Sequence, residues 1–577
     1  MNRRIVRRPP TGAALLTDLH PVLARLYAAR AVQSPAELDQ SLERLLPPEQ
    51  LKGMAVAVQL LADAIRAGRR LLIVADFDAD GATSCALAIR ALRAFGATDV
   101  RYVVPNRFEF GYGLTPEIVA VAASQRPDVL ITVDNGISSI AGVQAAKRAG
   151  MQVLITDHHL PGAELPDADA IVNPNQPGDG FASKNLAGVG VIFYVMLALR
   201  AQLRTSGWFA QRDIAEPNLA RLLDLVALGT VADVVPLDHN NRILVAQGLK
   251  RINQGQACAG IVALLKVAGR PPGRLAATDL GFAVAPRLNA AGRLTDMSLG
   301  IECLLTDSEP RALEIAQELD RLNRERRAIE SEMQAQAMEV VDRLQLEEGS
   351  LPHGLCLFDE TWHQGVIGIL AARVRERVHR PVIAFAPASD GEIKGSARSV
   401  PGLHIRDALD AVAARHPGLV AKFGGHAMAA GLSPPRDHFA AFQTAFAEEV
   451  ARHLGEDDLH GEIHSDGELA AGDFTLELAQ QLRAAGPWGQ GFPEPLFDGE
   501  FEIVSRRVVG EKHLKLGLRC GPGLPLIDAI AFRAVEGGAP PDWKRVRAAY
   551  RLDLNDYQGN RSLQLVKIGR ASCRERV

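Results

Sequence analysis

Leu71-Leu-Ile-Val-Ala-Asp-Phe-Asp-Ala-Asp-Gly81 is the stretch that decides the fold. Its five apolar residues suit a short strand buried on both faces, and the acids and glycine that follow cannot continue it. From Thr83 to Phe95 the apolar spacing turns helical. The same order recurs downstream. Val129–Val133 runs into Asp134-Asn135-Gly136 ahead of a helical stretch from Ser139 to Ala149, and Val153–Thr156 runs into Asp157-His158-His159. Alternating strands and helices predict a parallel α/β sheet. Such sheets bind ligands at the carboxyl ends of their strands, where all three polar clusters fall.

The first cluster spaces Asp76, Asp78 and Asp80 on alternate residues. Carboxylates packed this densely repel unless cations lie between them. Calcium loops also alternate acids but need a glutamate further on, and residues 87 to 89 here are Leu-Ala-Ile. A helix read from Pro217 to Gly229 delivers a fourth cluster, Thr230-Val-Ala-Asp233. If the clusters converge, the donors are mostly carboxylate oxygens plus imidazole, a mixture suited to Mn²⁺ or Mg²⁺, and numerous enough for two ions. Two such ions can drive an in-line phosphoryl displacement, so a phosphoesterase is expected. Any one of these acids alone could be a turn or cap residue; four clusters in step are harder to explain that way.

Beyond the sheet, Ser308 is a plausible helix cap with Glu309 and Pro310 in the first turn, and Ile315, Leu319, Leu322, Ile329 and Met333 continue a helical spacing to about Leu346. Such a helix spans about 55 Å and reads better as a connector than as a helix packed along one domain. A second α/β pattern follows, with strands at Leu355–Phe358 and Pro381–Ala386 around a helix at Val366–Val378. Five short strands then follow an acidic stretch: Leu496–Val509, His513–Arg519, Leu526–Phe532, Val546–Asn555 and Ser562–Lys567. They suggest a small barrel of the OB type.

The chain has 577 residues, enough for three or four domains, and a net charge of −4 that by itself disfavours nucleic acid. The average hides a basic barrel, since Gly499–Lys567 holds 12 Lys and Arg against 8 Asp and Glu. The six cysteines are scattered, with no Cys-x-x-Cys, so neither a disulfide framework nor a zinc knuckle is suggested. No apolar run approaches the ~18 residues of a membrane span, and Ala13–Leu16 is too short for a signal core, so a cytoplasmic protein without membrane attachment is expected. The last ten residues, Ile568–Val577, read as translated sequencing-adapter sequence, and no function is expected of Cys573 or the tail arginines.

These residues carry a resemblance. Asp76-Phe-Asp-Ala-Asp-Gly-Ala-Thr-Ser84, Val133-Asp-Asn-Gly136, Asp157-His-His159 and Gly229-Thr-Val-Ala-Asp-Val-Val-Pro-Leu237 resemble the four motifs of the DHH phosphoesterase superfamily. The likeness is tighter to its RecJ-type single-strand-specific exonucleases. Pro105–Gly113 resembles their loop after the first motif, and Trp362–Gly368, Lys394–Ser399 and Phe423–Gly431 resemble their DHH-associated domain. The resemblance spans about Leu71 to Lys567. It implies a DHH catalytic domain with its N-terminal segment over 1–307, a connecting helix over 308–348 and a DHH-associated domain over 349–455. A linker over 456–495 and an OB-fold-like domain over 496–567 complete it.

The resemblance further implies that Asp78, Asp80, Asp134, His158 and Asp233 bind metal, that Asp76 is a ligand or supports one, and that His159 positions water or stabilises charge on the phosphate. It implies a 5′→3′ exonuclease that hydrolyses single-stranded DNA to mononucleotides in recombination and repair. A monomer is expected, with single-strand-binding protein and a helicase as partners. Relatives acting on cyclic dinucleotides or very short RNA typically lack the barrel, and non-catalytic scaffolds of this fold have lost acids that are intact here.

Arg107, Arg287 and Arg398 are candidates for phosphate contacts, because a planar guanidinium grips phosphate with two prongs; each could equally be a surface ion pair. The resemblance places Ser396 and Arg398 at the 5′-terminal phosphate. His426 is either a structural histidine of its glycine-rich bend or a catalytic contact near the scissile phosphate, and His363 poses the same alternative. Tyr112 could stack a base or cap a core. Lys512, Lys515 and Arg519 could share one barrel face toward the strand or simply be solvated.

Overall fold

A parallel sheet needs apolar cover on both faces, and the short strands of this chain obtain it from helices on either side. In the computed structural model, which describes residues 4–9, 18–105, 113–348, 351–388, 391–420, 422–510, 513–532, 534, 544–557 and 560–570, the chain forms two compact units. Arg107, Tyr112, Lys512 and Cys573 lie outside the described residues.

The first unit comprises Pro9–Asn323 and Gln480–Pro495. Its sheet is all parallel, in the order Val100–Val103, Leu71–Ala75, Val129–Val133, Gln152–Thr156, Ala170–Val172. Alternate side chains point to opposite faces. Leu72, Val74, Leu130, Val153 and Ile155 pack with Ile118, Val119, Val143 and Ala146 from the helices Pro116–Ser124 and Ile140–Arg148. Helices Ala79–Ala94 and Gly188–Thr205 also pack against the strands. After Leu71–Ala75 the chain adds a strand on one side, then crosses to place Val129–Val133 on the other. That reversal leaves a crevice at the carboxyl ends of these two strands.

Gln480–Pro495 returns to this unit from far along the chain. Trp488 stacks on Phe492 at 5.1 Å and on Tyr27 at 6.1 Å between ring centroids, and the amide of Leu237 donates to the carbonyl of Gln490 at 2.7 Å.

The second unit comprises Met1–Arg8, Arg324–Ala479 and Leu496–Val577. Its mixed sheet runs Lys422–Gly425, Ala429–Ser433, Ile393–Arg398, Val382–Pro387, Leu355–Phe358, with only the last pair parallel. The period of two is plain: Leu355, Leu357, Val382 and Ala384 join one core, whereas Cys356, Ile383 and Phe385 join another with Phe442 and Phe446. The strand Arg4–Arg7 pairs in parallel with Glu462–Ser465, and Arg7 reaches Asp498 at 2.9 Å. The strands Phe497–Val509, His513–Arg519, Ile527–Ala531, Asn560–Arg570 and Arg545–Tyr557 close into a barrel in that order. Phe501 and Tyr550 meet edge to face inside it at 5.3 Å. Closure removes the open strand edges that invite aggregation.

The long helix is continuous from Glu309 to Glu348. Ile315, Leu319 and Leu322 are buried in its first part, and Met333, Ala337 and Val341 join the core of the second unit. The expected architecture, a parallel-sheet α/β domain, a long helix, a smaller α/β domain and an OB-like barrel, is the one observed.

Candidate metal centre and substrate pocket

Each of three acids prolongs the parallel ladder by one residue. The amide of Asp76 donates to the Val133 carbonyl (3.3 Å), that of Asp134 to Thr156 (3.0 Å) and that of Asp157 to Val172 (3.1 Å). The ladder therefore sets three carboxylates side by side along the crevice. Asp78 caps the helix Ala79–Ala94, its Oδ1 accepting from the amides of Asp80 (2.9 Å) and Gly81 (3.0 Å). Asp80, fully buried in the first turn, accepts from the amides of Gly188 (2.6 Å) and Val189 (3.0 Å) at the start of another helix. Asp233 ends the helix Leu223–Ala232. His158 Nε2 lies 3.1 Å from Asp134 Oδ1 and 3.5 Å from Asp233 Oδ2.

Three sets of donors result, each with ligand atoms within 4.8 Å of one another: Asp76, Asp78 and Asp134; Asp80, His158 and Asp233; Asp134, His158 and His159. Sharing of Asp134 and His158 between sets makes this one continuous site. Two glycines let it close. A methyl group on Gly188 would lie 2.6 Å from Asp134 Oδ1, and one on Gly229 2.7 Å from Asp80 Oδ1.

The backbone is strained at two points here. Asp134 and Val234 both adopt φ of 62°, left-handed values that are rare for any side chain and rarer for a β-branched one.

Crowded like charges set the electrostatics. Burial, and then the charge of Asp78, push Asp80 up to about 7. Burial and the neighbouring carboxylates likewise raise Asp134 and Asp233 well above the ordinary range. Among the aspartates of the three ladder steps and the first helix, Asp157 moves the other way: burial opposes its charge most, but the hydrogen bond from His159, the charges of His159 and His158 and the bond from the Ile137 amide together outweigh it. His159 is held at about 9, burial being outweighed by the bond to Asp157 and by the charges of Asp157, Asp233 and Asp76. A site of oxygen donors and imidazole, with its carboxyls driven toward protonation by burial and then by mutual repulsion, fits hard divalent cations.

The sequence matches the DHH family N-terminal domain over residues 70–230, the DHHA1 domain over 352–452 and the RecJ OB domain over 465–567. It is 55% identical over 562 residues to the single-stranded-DNA-specific exonuclease RecJ of Salmonella typhimurium, covering 97% of each chain. The chain belongs to the RecJ family. The RecJ of Escherichia coli is also 55% identical, over 96% of each chain. A crystal structure of RecJ in complex with Mn²⁺ from Thermus thermophilus superposes with a TM-score of 0.79 at 30% identity, covering 98% of this chain and 78% of that one.

The candidates in the second unit of this RecJ-family chain are ordered by its mixed sheet. Arg398 Nη1 donates to Ser396 Oγ (3.1 Å) and to the Ala397 carbonyl (2.8 Å). Gly368 leaves room for both side chains, since a methyl group there would lie 3.0 Å from each. Arg398 has no carboxylate partner among the described residues, and burial, followed by the charge of Arg375, lowers its pKa. The exposed His426 donates its amide to the Ala429 carbonyl (2.8 Å), and Ala429 pairs with Arg398 across the strands. His363 is half-buried, its Nδ1 accepting from the Gly365 amide (3.1 Å).

Three of the expected cations have acidic partners. Arg287 is buried at 9% exposure. Its Nε and Nη2 both lie 2.8 Å from Asp320 Oδ1, so an ion pair occupies the guanidinium expected to grip phosphate. On the barrel, Lys515 pairs with Asp528 (2.9 Å) and Arg519 with Glu502 (3.4 Å), which tempers the charge expected of that face. Conversely, three supporting residues were not singled out. Asp157 orients His159. Asn135 donates to the carbonyls of Val74 (3.1 Å) and Val133 (2.9 Å), bridging the two strands of the crevice, and Asn289 accepts from the Ala79 amide (2.8 Å). An acid directly before a His-His pair was the one available signal.

Proposed function

We propose that this chain hydrolyses single-stranded DNA from its 5′ end, releasing mononucleotides, with Mn²⁺ or Mg²⁺ as cofactor. The observation that carries the reading is the convergence of Asp76, Asp78, Asp80, Asp134, His158, His159 and Asp233 on one crevice in a chain 55% identical to exonucleases named RecJ. Asp78, Asp80, Asp134, His158 and Asp233 would hold two ions, with Asp76 as ligand or support. Bound there, the cations supply Lewis acidity toward water and phosphate oxygens.

The chain's own side chains do the rest. Asp157 holds Nδ1 of His159 and so fixes the orientation of the ring, whose imidazolium can donate to a phosphate oxygen on which charge builds. His159 near 9 stays protonated at neutral pH and keeps that donor. Ser396 and Arg398, which has no carboxylate partner among the described residues, would hold the 5′-terminal phosphate, with His426 and His363 as further substrate contacts. Arg107 and Tyr112 are proposed contacts on the loop after the first motif. The closed barrel would bind the single strand.

Among the described residues no helix is long and apolar enough to cross a membrane. A cytoplasmic monomer working with single-strand-binding protein and a helicase is part of the proposal.

The test is a long single strand labelled at either end, incubated with Mn²⁺, with EDTA, and with Asp134→Asn protein. Immediate release of 5′-labelled mononucleotide only by the Mn²⁺-loaded parent supports the reading. Cleavage confined to dinucleotides, or binding without cleavage, overturns it.

A further inference from the structure

One face of the mixed sheet in the second unit is only half covered. Directly opposed residues on neighbouring strands share a face. Gly424 pairs with Gly431, Gly431 with Ser396 and Ser396 with Ala384, so these four form one row across four strands. At its Ala384 end the row is roofed, because Ala384 joins the core that includes Leu370 and Val374 of the helix Ile367–Val378. Gly368, in the first turn of that helix, stands beside Ser396 and Arg398. Past Ser396 the roof stops, and Gly431 and Gly424 are both exposed. A bare patch of main chain thus adjoins the Ser396–Arg398 pair, with the helix as a wall at its edge.

Glycine weakens a strand and is kept where a positive φ, a bulge or the close approach of another group demands it. Two other glycines of this sheet show the fold's own reasons. A Cβ on Gly395 would lie 2.5 Å from the Phe385 ring, and Gly425 has a φ of 150°. Neither reason holds at Gly424 or Gly431. Neither has a positive φ, and the ladder runs through both without a shift of register. A Cβ would meet nothing within 4 Å at Gly424, and at Gly431 only the Gly395 carbonyl oxygen at 4.0 Å. The fold leaves room here for side chains that the sequence withholds, which leaves close approach of a ligand as the reason. We propose that Gly431 and Gly424 form the floor on which the base of the 5′-terminal nucleotide lies. The assignment rests on the proposed placement of the terminal phosphate at Ser396 and Arg398. Neighbouring strands are about 4.8 Å apart, so the floor extends about 5 to 10 Å from Ser396, the reach of one nucleoside from its phosphate. It presents no side chain to a base edge and so accepts any of the four bases by their flat faces.

The test uses the full-length protein with Mn²⁺ and a 5′-phosphorylated single strand, either intact or lacking the base of its first nucleotide. Gly424→Ala and Gly431→Ala are compared with the parent. Alanine suits a strand better than glycine, so neither variant should lower the thermal midpoint in EDTA. On the intact strand each should raise KM by about tenfold, because the added methyl group lifts the base off the floor. On the strand lacking that base the parent should itself show a raised KM, and the variants should differ from it by less than about twofold. A lowered midpoint would mean that the fold needs these glycines and would overturn the proposal. So would a KM equal to the parent's on the intact strand, or an equal rise on both strands. If the parent cuts the strand and the variants match it, the floor falls and the exonuclease reading stands. If the parent leaves the strand uncut, that reading falls and the floor with it.

Discussion

His159 Nδ1 lies 2.8 Å from Asp157 Oδ1, and that carboxylate also accepts from the backbone amides of Ile137, His158 and His159 itself. Asp157 thus fixes the loop and the ring together. It also makes the imidazolium persist to about pH 9. In Asp157→Asn the largest favourable contribution is gone, so His159 should titrate nearer its ordinary value. Because the proton is then lost as pH rises from about 6 toward 9, nuclease activity at pH 8 should fall by about 100-fold, and less at pH 6. A pH–rate profile of the variant with the same shape as the parent's would refute the donor role.

Asp134 joins two of the donor sets. Asp134→Asn should lower activity at saturating Mn²⁺ by at least about 100-fold, since even outer partners of metal ligands cost 10–100-fold when removed. Its thermal midpoint in EDTA should not fall, because one of several mutually repelling carboxyls has been removed. A nuclease assay at saturating Mn²⁺ and a melting curve in EDTA check the two parts.

Metal removal should expose the repulsion as a pH effect. Asp80 binds its proton more tightly folded (about 7) than unfolded, and Asp134 and Asp233 shift in the same direction. Their protonation favours the fold fully below the ordinary carboxylate range, and that contribution is lost as pH rises toward and through about 7. The melting temperature in EDTA should therefore drop between pH 5 and pH 8, and Mn²⁺ should restore it most at the higher pH. A flat profile in EDTA would count against the buried cluster.

Among the described residues, Arg398 offers its guanidinium to Ser396 and a carbonyl but to no carboxylate. Arg398→Gln should remove the preference for a 5′-phosphorylated over a 5′-hydroxyl strand, raising KM for the former by about 10–100-fold, as expected of a lost charged hydrogen bond. The comparison of the two substrates on parent and variant decides.

Val234 holds a left-handed backbone with its side chain 62% exposed. Val234→Gly loses little packing and relieves the clash of Cβ with the backbone. The fold should gain about 0.5–1 kcal/mol after the extra chain entropy of glycine is offset. Chemical denaturation in EDTA measures it.

Much of this was legible in the sequence where burial is two-sided. The strands Leu71–Ala75, Val129–Val133 and Leu355–Phe358 begin and end where the apolar runs do. The helix expected from Thr83 starts at Ala79, because its first turn is built of acid, glycine and a cap rather than apolar residues. Asp76 and Asp134 were visible because they end strands, and Asp78 and Asp80 because they follow Asp76 on alternate residues. Asp157 was overshadowed by the histidines it holds, and the ion pair of Arg287 depends on Asp320, a partner that no local pattern announces. The attachment of Trp488 and Phe492 beside Tyr27 is likewise a contact between distant parts of the chain, beyond the reach of periodicity.

That distant attachment has a consequence for the order of events during synthesis. The residues of the acidic crevice, Asp76 to Asp233, emerge from the ribosome early. The Leu237 amide at the end of the fourth motif is held by Gln490, and Tyr27 donates its hydroxyl to the Ala485 carbonyl. Both fastenings are made by the last part of the chain to join that unit. A growing polypeptide therefore carries every acid of the crevice long before the clasp that secures Leu237 exists. The nuclease is completed late, when most of the chain, including the second α/β domain, has already been made.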